Sequence, residues 1–227
     1  MNLDTGAILL VDKAPGWTSH DAAAYLRGVL KVKTGHSGTL DPMATGLLII
    51  LLGRATKQQE SYQKQPKTYR AAVTLGAQTD TWDCAGQVVK TAPVPPLTLE
   101  AVQKALDSMT GEISHPVPYY SAKKVDGVAM YKQARGGVNI VKESTVTIYG
   151  WDNISLQDNI VNFDVSCSSG TYVRSLAYML GLKLGTLGHI SALRRLSIGG
   201  ESVDKAVPID ALKKMSKEEI LKCVKIL

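Results

Sequence analysis

The sequence predicts a mixed α/β (α+β) fold on three observations. Apolar runs with strand periodicity alternate with segments of helical periodicity. No internal repeat or low-complexity tract divides them. The 227 residues, 44% hydrophobic and 20% charged, suffice to bury a substantial core. Ala7 to Val11 reads as a buried strand running into the turn Asp12-Lys13-Ala14-Pro15-Gly16. A helix follows to about Leu30, with Thr18 or Ser19 as its cap and Ala22, Leu26, Val29 and Leu30 on one face. Leu47 to Leu52 reads as a strand covered on both faces, whereas Tyr69, Ala71, Val73 and Leu75 alternate as in a strand covered on one.

Pro93 to Pro96 forms a stiff connector, after which Thr98 caps a helix carrying Leu99, Val102, Leu106 and Met109. Strands are predicted over Thr145 to Trp151 and Ile160 to Cys167. Ser168-Ser169-Gly170 then turns the chain into a helix capped by Thr171, with Val173, Leu176, Ala177 and Leu180 as its apolar stripe. A short helix is expected over Ser216 to Leu227. Residues Tyr119 to Val141 lack a clean period but carry Lys123, Lys124, Lys132 and Arg135, which reads as a mobile basic loop.

The formal charge of +6 suits a polyanionic partner, although charge alone also fits proteins that bind none. Cys84, Cys167 and Cys223 are odd in number and widely spaced, which supports neither a disulfide framework nor a zinc motif and leaves reduced, cytosolic thiols. No export signal is visible, and the longest apolar run is too short to span a bilayer. A cytoplasmic protein with no membrane partner is the expectation.

The densest chemical signal is Gly35-His36-Ser37-Gly38-Thr39-Leu40-Asp41-Pro42-Met43-Ala44-Thr45-Gly46. One carboxylate sits among turn-forming residues, with an imidazole five positions upstream and Pro42 steering Asp41 away from helical geometry. Asp-Pro alone is a common turn initiator, but a turn needs only a few residues, and a run of this length reads as a functional loop. Arg54, Lys57, Lys64, Lys67 and Arg70 follow it closely. Arg174 falls in the first turn of a helix, where the dipole disfavours a cation, so either a buried acid holds it or it stands exposed.

These blocks resemble the bacterial tRNA pseudouridine synthases of the TruB type. The resemblance runs from Gly6-Ala7-Ile8-Leu9-Leu10-Val11-Asp12-Lys13 and Thr18-Ser19-His20-Asp21, through the Asp41 loop and Gly53-Arg54-Ala55-Thr56-Lys57, to Tyr69-Arg70, Thr79-Asp80-Thr81 and Tyr120-Ser121-Ala122. It ends with Ser169-Gly170-Thr171-Tyr172-Val173-Arg174 and Leu193-Arg194-Arg195. The proline that usually follows the lysine directly is displaced here by Ala14. The resemblance implies a long central antiparallel sheet flanked by helices and loops, and no metal or organic cofactor. It implies a catalytic domain over residues 1–208, followed by a short helical tail over 209–227 in place of the further RNA-binding domain of larger members. RNA affinity would then rest on the catalytic domain, with the basic loop as a clamp.

By the same resemblance the substrate is the T-arm stem-loop of tRNA, uridine 55 is the target, and the enzyme is a monomer. Asp41 is the catalytic aspartate, and its carboxylate would be kept ionised by Arg174 against the cost of desolvation. The target base must be flipped out of its stack, and His36 would fill the gap; a general acid or base is the other role open to it. Tyr69 would lie against the flipped base, with Val173 and Leu193 as its apolar floor or as plain core. Lys13, Lys57, Tyr172, Lys124 and Arg135 are candidate RNA contacts. Lys13, Lys57 and the Arg194-Arg195 pair contact phosphates if exposed and form scaffold ion pairs if not. A non-catalytic RNA-binding module gains nothing from a fixed acid. A phosphotransferase would place its aspartate before, not after, the Gly-Thr element.

Overall fold

The computed structural model describes residues 6–120, 124–125, 128–129 and 142–227, the two short pairs by backbone alone. In chain order the elements begin β1 (Ala7–Lys13), α1 (Ser19–Leu30), β2 (Thr34–His36), β3 (Thr45–Leu52), α2 (Gln59–Lys64), β4 (Lys67–Leu75), β5 (Ala77–Thr79) and β6 (Val88–Thr91). They continue with α3 (Leu99–Asp107), β7 (Gly111–Pro116), β8 (Lys124–Val125), β9 (Val128–Ala129), β10 (Glu143–Gln157), β11 (Ile160–Cys167) and α4 (Val173–Lys183). The chain closes with β12 (Gly188–Ile198), β13 (Glu201–Ser202), β14 (Val207–Pro208), α5 (Ile209–Leu212), α6 (Lys217–Lys222) and β15 (Lys225–Ile226). Two compact units result, Met1–Tyr69 with Arg194–Leu227, and Arg70–Leu193.

The first unit is organised around β3, all of whose residues from Gly46 to Leu52 are buried. One edge pairs antiparallel with β1, from Ala7 against Leu52 to Lys13 against Gly46. The other is shared by β2, antiparallel at Thr34 to His36, and by Arg194 and Arg195 of β12, which run parallel beside Thr45 and Gly46. Period-2 alternation divides β3 between two cores. Leu48, Ile50 and Leu52 pack with Leu9 and Val11 of β1, Ala22 and Leu26 of α1, Leu212 and Ile220, while Leu47, Ile49 and Leu51 pack with Ile8, Leu10, Ala55, Ile198 and Val203. At about 1.5 to 3 kcal/mol for each buried aliphatic side chain, this strand is a stiff anchor for whatever precedes it. Thr18 caps α1 in a full capping box with Asp21, and Lys31 ends it in the left-handed conformation at φ 56°.

In the second unit β4, β11, β10 and β7 lie side by side in that order. β10 is antiparallel to both neighbours and is bulged twice against β11. Tyr69, Ala71, Val73 and Leu75 of β4 are buried in alternation, as predicted. Thr98 caps α3 as its residue type suggests. Helix α4 buries Val173, Leu176, Ala177 and Leu180, but its cap differs from expectation. Tyr172 occupies the cap position, and the Thr171 hydroxyl donates instead to the Ser168 carbonyl at 2.9 Å. The sheets are mixed rather than wholly antiparallel, because β14 runs parallel to β1 and β12 parallel to β3.

Candidate active site

Asp41 stands on the loop between β2 and β3, at the point where β2 leaves the edge of β3 and β12 takes its place. The loop is fastened along its length. Ser37 is fully buried; its N–H donates to the Ile49 carbonyl at 3.0 Å, and its hydroxyl accepts from Ile49 N–H at 3.2 Å. The Leu40 N–H donates to Ser19 Oγ at 2.8 Å, and Gly16 N–H to the Pro42 carbonyl at 2.9 Å. Ala44 N–H closes a tight turn onto the Asp41 carbonyl at 3.0 Å. Gly46 follows at φ 100°, and a Cβ there would lie 2.3 Å from the Arg195 carbonyl oxygen, so only glycine lets β12 approach. The half-buried Asp41 is thus aimed by a backbone with little freedom left.

Two buried cations face its carboxylate. Lys13, the last residue of β1, is fully buried and donates from Nζ to the carbonyls of Ala14 at 3.0 Å, Trp17 at 2.7 Å and Pro42 at 3.3 Å. Burial lowers its pKa to about 8, partly opposed by the charge of Asp41 and reinforced by that of Arg195. Buried among three carbonyls, Lys13 lacks the exposure that a phosphate contact needs and sits as the scaffold alternative requires. Arg195 is 1% exposed; its Nε donates to the Leu47 carbonyl at 2.7 Å and its Nη2 to the Gly38 carbonyl at 3.1 Å. Burial lowers its pKa, while a hydrogen bond to Tyr69 and the charge of Asp41 act the other way. One guanidinium thereby ties together the loop, Asp41 and Tyr69, itself 8% exposed.

His36 is half-buried, and its Nδ1 lacks a hydrogen-bond partner among the described residues. Burial first, then the charge of Arg195, depresses its pKa, with a Gly38 backbone hydrogen bond opposing. A neutral imidazole at neutral pH follows, which suits a flat stacking group better than a proton donor. Arg194 points away from this cluster and forms a bidentate pair with Asp12 at 3.0 and 2.7 Å.

In the second unit Arg174 is 4% exposed. Its Nη1 donates to the Thr81 carbonyl at 2.9 Å, its Nη2 to the Tyr120 carbonyl at 3.0 Å, and its Nε faces Asp83 Oδ2 at 3.7 Å. Of the two possibilities open for this first-turn arginine, the structure adopts the buried acid. Tyr172 N–H donates to His115 Nε2 at 3.2 Å, which sets the start of α4. Val173 and Leu193 are buried at 4% and 8% exposure.

The cations after the Asp41 loop have separate fates. Lys67 is buried, Lys64 pairs with Glu60 at 2.7 Å, and Arg70 makes a two-pronged contact with Asp164 at 2.8 and 2.9 Å. Arg54 and Lys57 instead join Lys31 and Lys33 around an open cleft of about 560 Å³ in the first unit, completed by Val32, Gly53 and Thr56. Lys57 therefore keeps the exposure a phosphate contact needs. Arg135 lies outside the described residues, and of Lys124 only the backbone, in β8, is described. Among the described residues no three His, Cys, Asp or Glu side chains gather as a metal site, and no helix is long and apolar enough to cross a membrane.

The model of the TruB family pseudouridylate synthase N-terminal domain matches residues 27–173. The tRNA pseudouridine synthase B of Syntrophotalea carbinolica is 41% identical over 214 residues, covering 93% of this chain and 70% of that protein. The chain belongs to the TruB family. It is an RNA pseudouridine synthase, an isomerase. Two further TruB relatives named tRNA pseudouridine synthase B agree: that of Aromatoleum aromaticum is 44% identical over 93% of this chain and 69% of its own length, and that of Opitutus terrae 40% over 95% and 90%. Among solved structures, a Cbf5-Nop10-Gar1 complex aligns at TM-score 0.73 with 25% identity over 97% of this chain. A structure of an H/ACA RNP bound to a substrate RNA containing 2'-deoxyuridine aligns at 0.71 with 23% identity and shows the shared fold alone. The chain spans 60% of each of those two longer chains.

Sequence reasoning underrated Arg195 and missed Asp83 and His115. The Leu-Arg-Arg motif carries the first without saying which arginine turns inward. Asp83 follows Thr79-Asp80-Thr81 in a turn whose acid gives no sign of its burial. His115 meets Tyr172 only through the fold.

Proposed function

We propose that this chain converts uridine 55 in the T-arm of tRNA to pseudouridine, with Asp41 as the covalent nucleophile. The observation that carries the reading is Asp41 itself, one half-buried carboxylate on a pinned loop beside the buried cations Lys13 and Arg195. Its relatives' names supply the substrate class.

The reaction is an isomerisation. The bond from ribose C1′ to N1 breaks, the uracil turns, a bond from C1′ to C5 forms, and the C5 proton departs as N1 gains one. Asp41 adds either to C1′ or to the base, and both routes need an ionised, oriented carboxylate that can leave again. Lys13 and Arg195 favour that ionised form. Arg174 is read as a further catalytic residue, a role its burial and fork geometry suit.

The target base is everted at a cost of a few kcal/mol in stacking. The neutral ring of His36 takes its place, and Tyr69, steadied by Arg195, packs against the flipped base. Tyr172, Val173 and Leu193 are read as further RNA-binding residues. Lys57, with Lys31, Lys33 and Arg54, seats phosphates, joined by Lys124 and Arg135. The protein is taken to act as a cytoplasmic monomer.

The test uses unmodified tRNA transcripts with chemical mapping of pseudouridine. Wild type is expected to modify a single T-arm uridine; Asp41→Asn is expected to bind the same RNA and leave no product. Product from Asp41→Asn, or modification only outside the T-arm, refutes the reading.

A further inference from the structure

Helix α4 meets the turn Thr79–Gly86 at two places one helical turn apart. At the first, Arg174 is gripped by the Thr81 carbonyl and by Asp83. At the second, four residues along the same helix face, the ring of Tyr178 stacks on that of Trp82 with centroids 4.6 Å apart and planes 8° from parallel. Trp82 lies between the two residues that hold Arg174. It does so at φ 60°, a conformation bulky side chains avoid and keep only where their surroundings over-determine it.

The turn is otherwise organised to aim Asp83. Its carboxylate accepts from Thr81 Oγ1 at 2.7 Å and from Ala85 N–H at 3.0 Å, its carbonyl accepts from Thr79 Oγ1 at 2.7 Å, and Ile190 N–H donates to the Trp82 carbonyl at 3.0 Å. From this turn Arg174 takes the Thr81 carbonyl at 2.9 Å and the Asp83 carboxylate at 3.7 Å, so the seating of the turn on α4 decides where both of those groups stand. The ring stack is the second place at which the turn is fastened to α4.

We infer that the Trp82–Tyr178 stack is a positioning device that sets the orientation of Arg174, and through it the rate of isomerisation. The inference rests on the proposed catalytic role of Arg174. A platform for an RNA base is the competing use of two half-exposed rings. Each ring, however, already spends one face on the other, and the strain at Trp82 is explained by what that pairing holds in place.

The experiment measures kcat, KM and Tm on T-arm RNA for the full chain and for Tyr178→Ala, Tyr178→Phe, Trp82→Ala, Trp82→Phe, Arg174→Lys and the double variant Tyr178→Ala/Arg174→Lys. Tyr178 lies on a half-exposed helix face, so its truncation tests the idea even if Trp82→Ala fails to fold. The expected result is a tenfold or greater fall in kcat for Tyr178→Ala, with KM within twofold and Tm little changed. Both phenylalanine variants should recover most of the rate. The double variant should be no slower than Arg174→Lys alone. A raised KM with intact kcat, an unchanged kcat, or additive losses in the double variant overturn the inference while leaving Arg174 in place. A fully active Arg174→Lys overturns the role of Arg174, and the inference with it.

Discussion

Replacing Lys13 with methionine separates the two consequences of burying an ammonium group beside Asp41. Near neutral pH they oppose each other. The variant leaves the carbonyls of Ala14, Trp17 and Pro42 without their donor, at about 1 kcal/mol or more each. It also removes the cost of holding the charge away from water. The fall of the Lys13 pKa from 10.5 to about 8 sets that cost. At about 1.4 kcal/mol per pH unit it is about 3 kcal/mol, and about 2 kcal/mol once the solvent that reaches the open Asp41 loop is allowed to screen it. The variant should therefore lie within about 2 kcal/mol of wild type near pH 7.

The sign of the pH dependence is fixed by which state holds the proton. Between about pH 8 and 10.5 the folded protein has released the Lys13 proton and the unfolded chain has not, so unfolding takes up a proton and stability rises with pH. Wild type should gain about 2 kcal/mol from this residue across that window, and Lys13→Met should gain nothing from it. Urea unfolding of both proteins at intervals from pH 7 to 10.5 measures the difference, in which every other titrating group cancels. A stability of wild type relative to the variant that does not rise above pH 8 would refute the claim that the ammonium is buried at a cost.

Gly46→Ala should destabilise by about 3 kcal/mol or more and abolish activity, because φ 100° and the Arg195 carbonyl both exclude a Cβ; thermal melting and the product assay check it. Arg70→Ala should cost only about 1 kcal/mol at pH 7, since Arg70 is 60% exposed and Asn153 still donates to Asp164 at 2.7 Å. Arg70, then Asn153, hold the Asp164 carboxyl below its usual pKa against burial, so that loss should persist down to the ordinary carboxylate range and fade only as pH falls below it, which acid-titrated urea melts would show. Asp41→Asn should melt no higher than wild type, because it removes the anion that favours two buried cations; a clear rise in Tm would contradict that electrostatic account.

The parts of the fold that were legible are those in which one residue type carries one physical demand. Leu47 to Leu52 can satisfy only a strand covered on both faces, and Thr18 and Thr98 cap helices because their hydroxyls reach back to orphaned N–H groups. β12 was illegible for the opposite reason. Its buried positions include Ile190, Leu193 and Arg195, which break strict alternation, and one of them is a cation. The cap of α4 went to Tyr172 because its N–H meets His115, a partner 57 positions away that no local pattern records.

The candidate site divides along the same line. Asp41 and its loop stand out because turn chemistry is local, written in Gly38, Pro42 and Gly46. The electrostatics around the acid are not local: Lys13 arrives from the end of β1, Arg195 from β12 and Tyr69 from β4. A lysine or arginine looks the same in sequence whether it meets phosphate or is sealed among carbonyls, and here the two fates separate by burial alone. Lys57, Arg54, Lys31 and Lys33 keep their charges at the surface of one cleft, while Lys13 and Arg195 give up solvent to stand beside one carboxylate. Such enclosure costs free energy that core packing alone would not require, which makes the pair a stronger sign of chemistry at Asp41 than the count of cations around it.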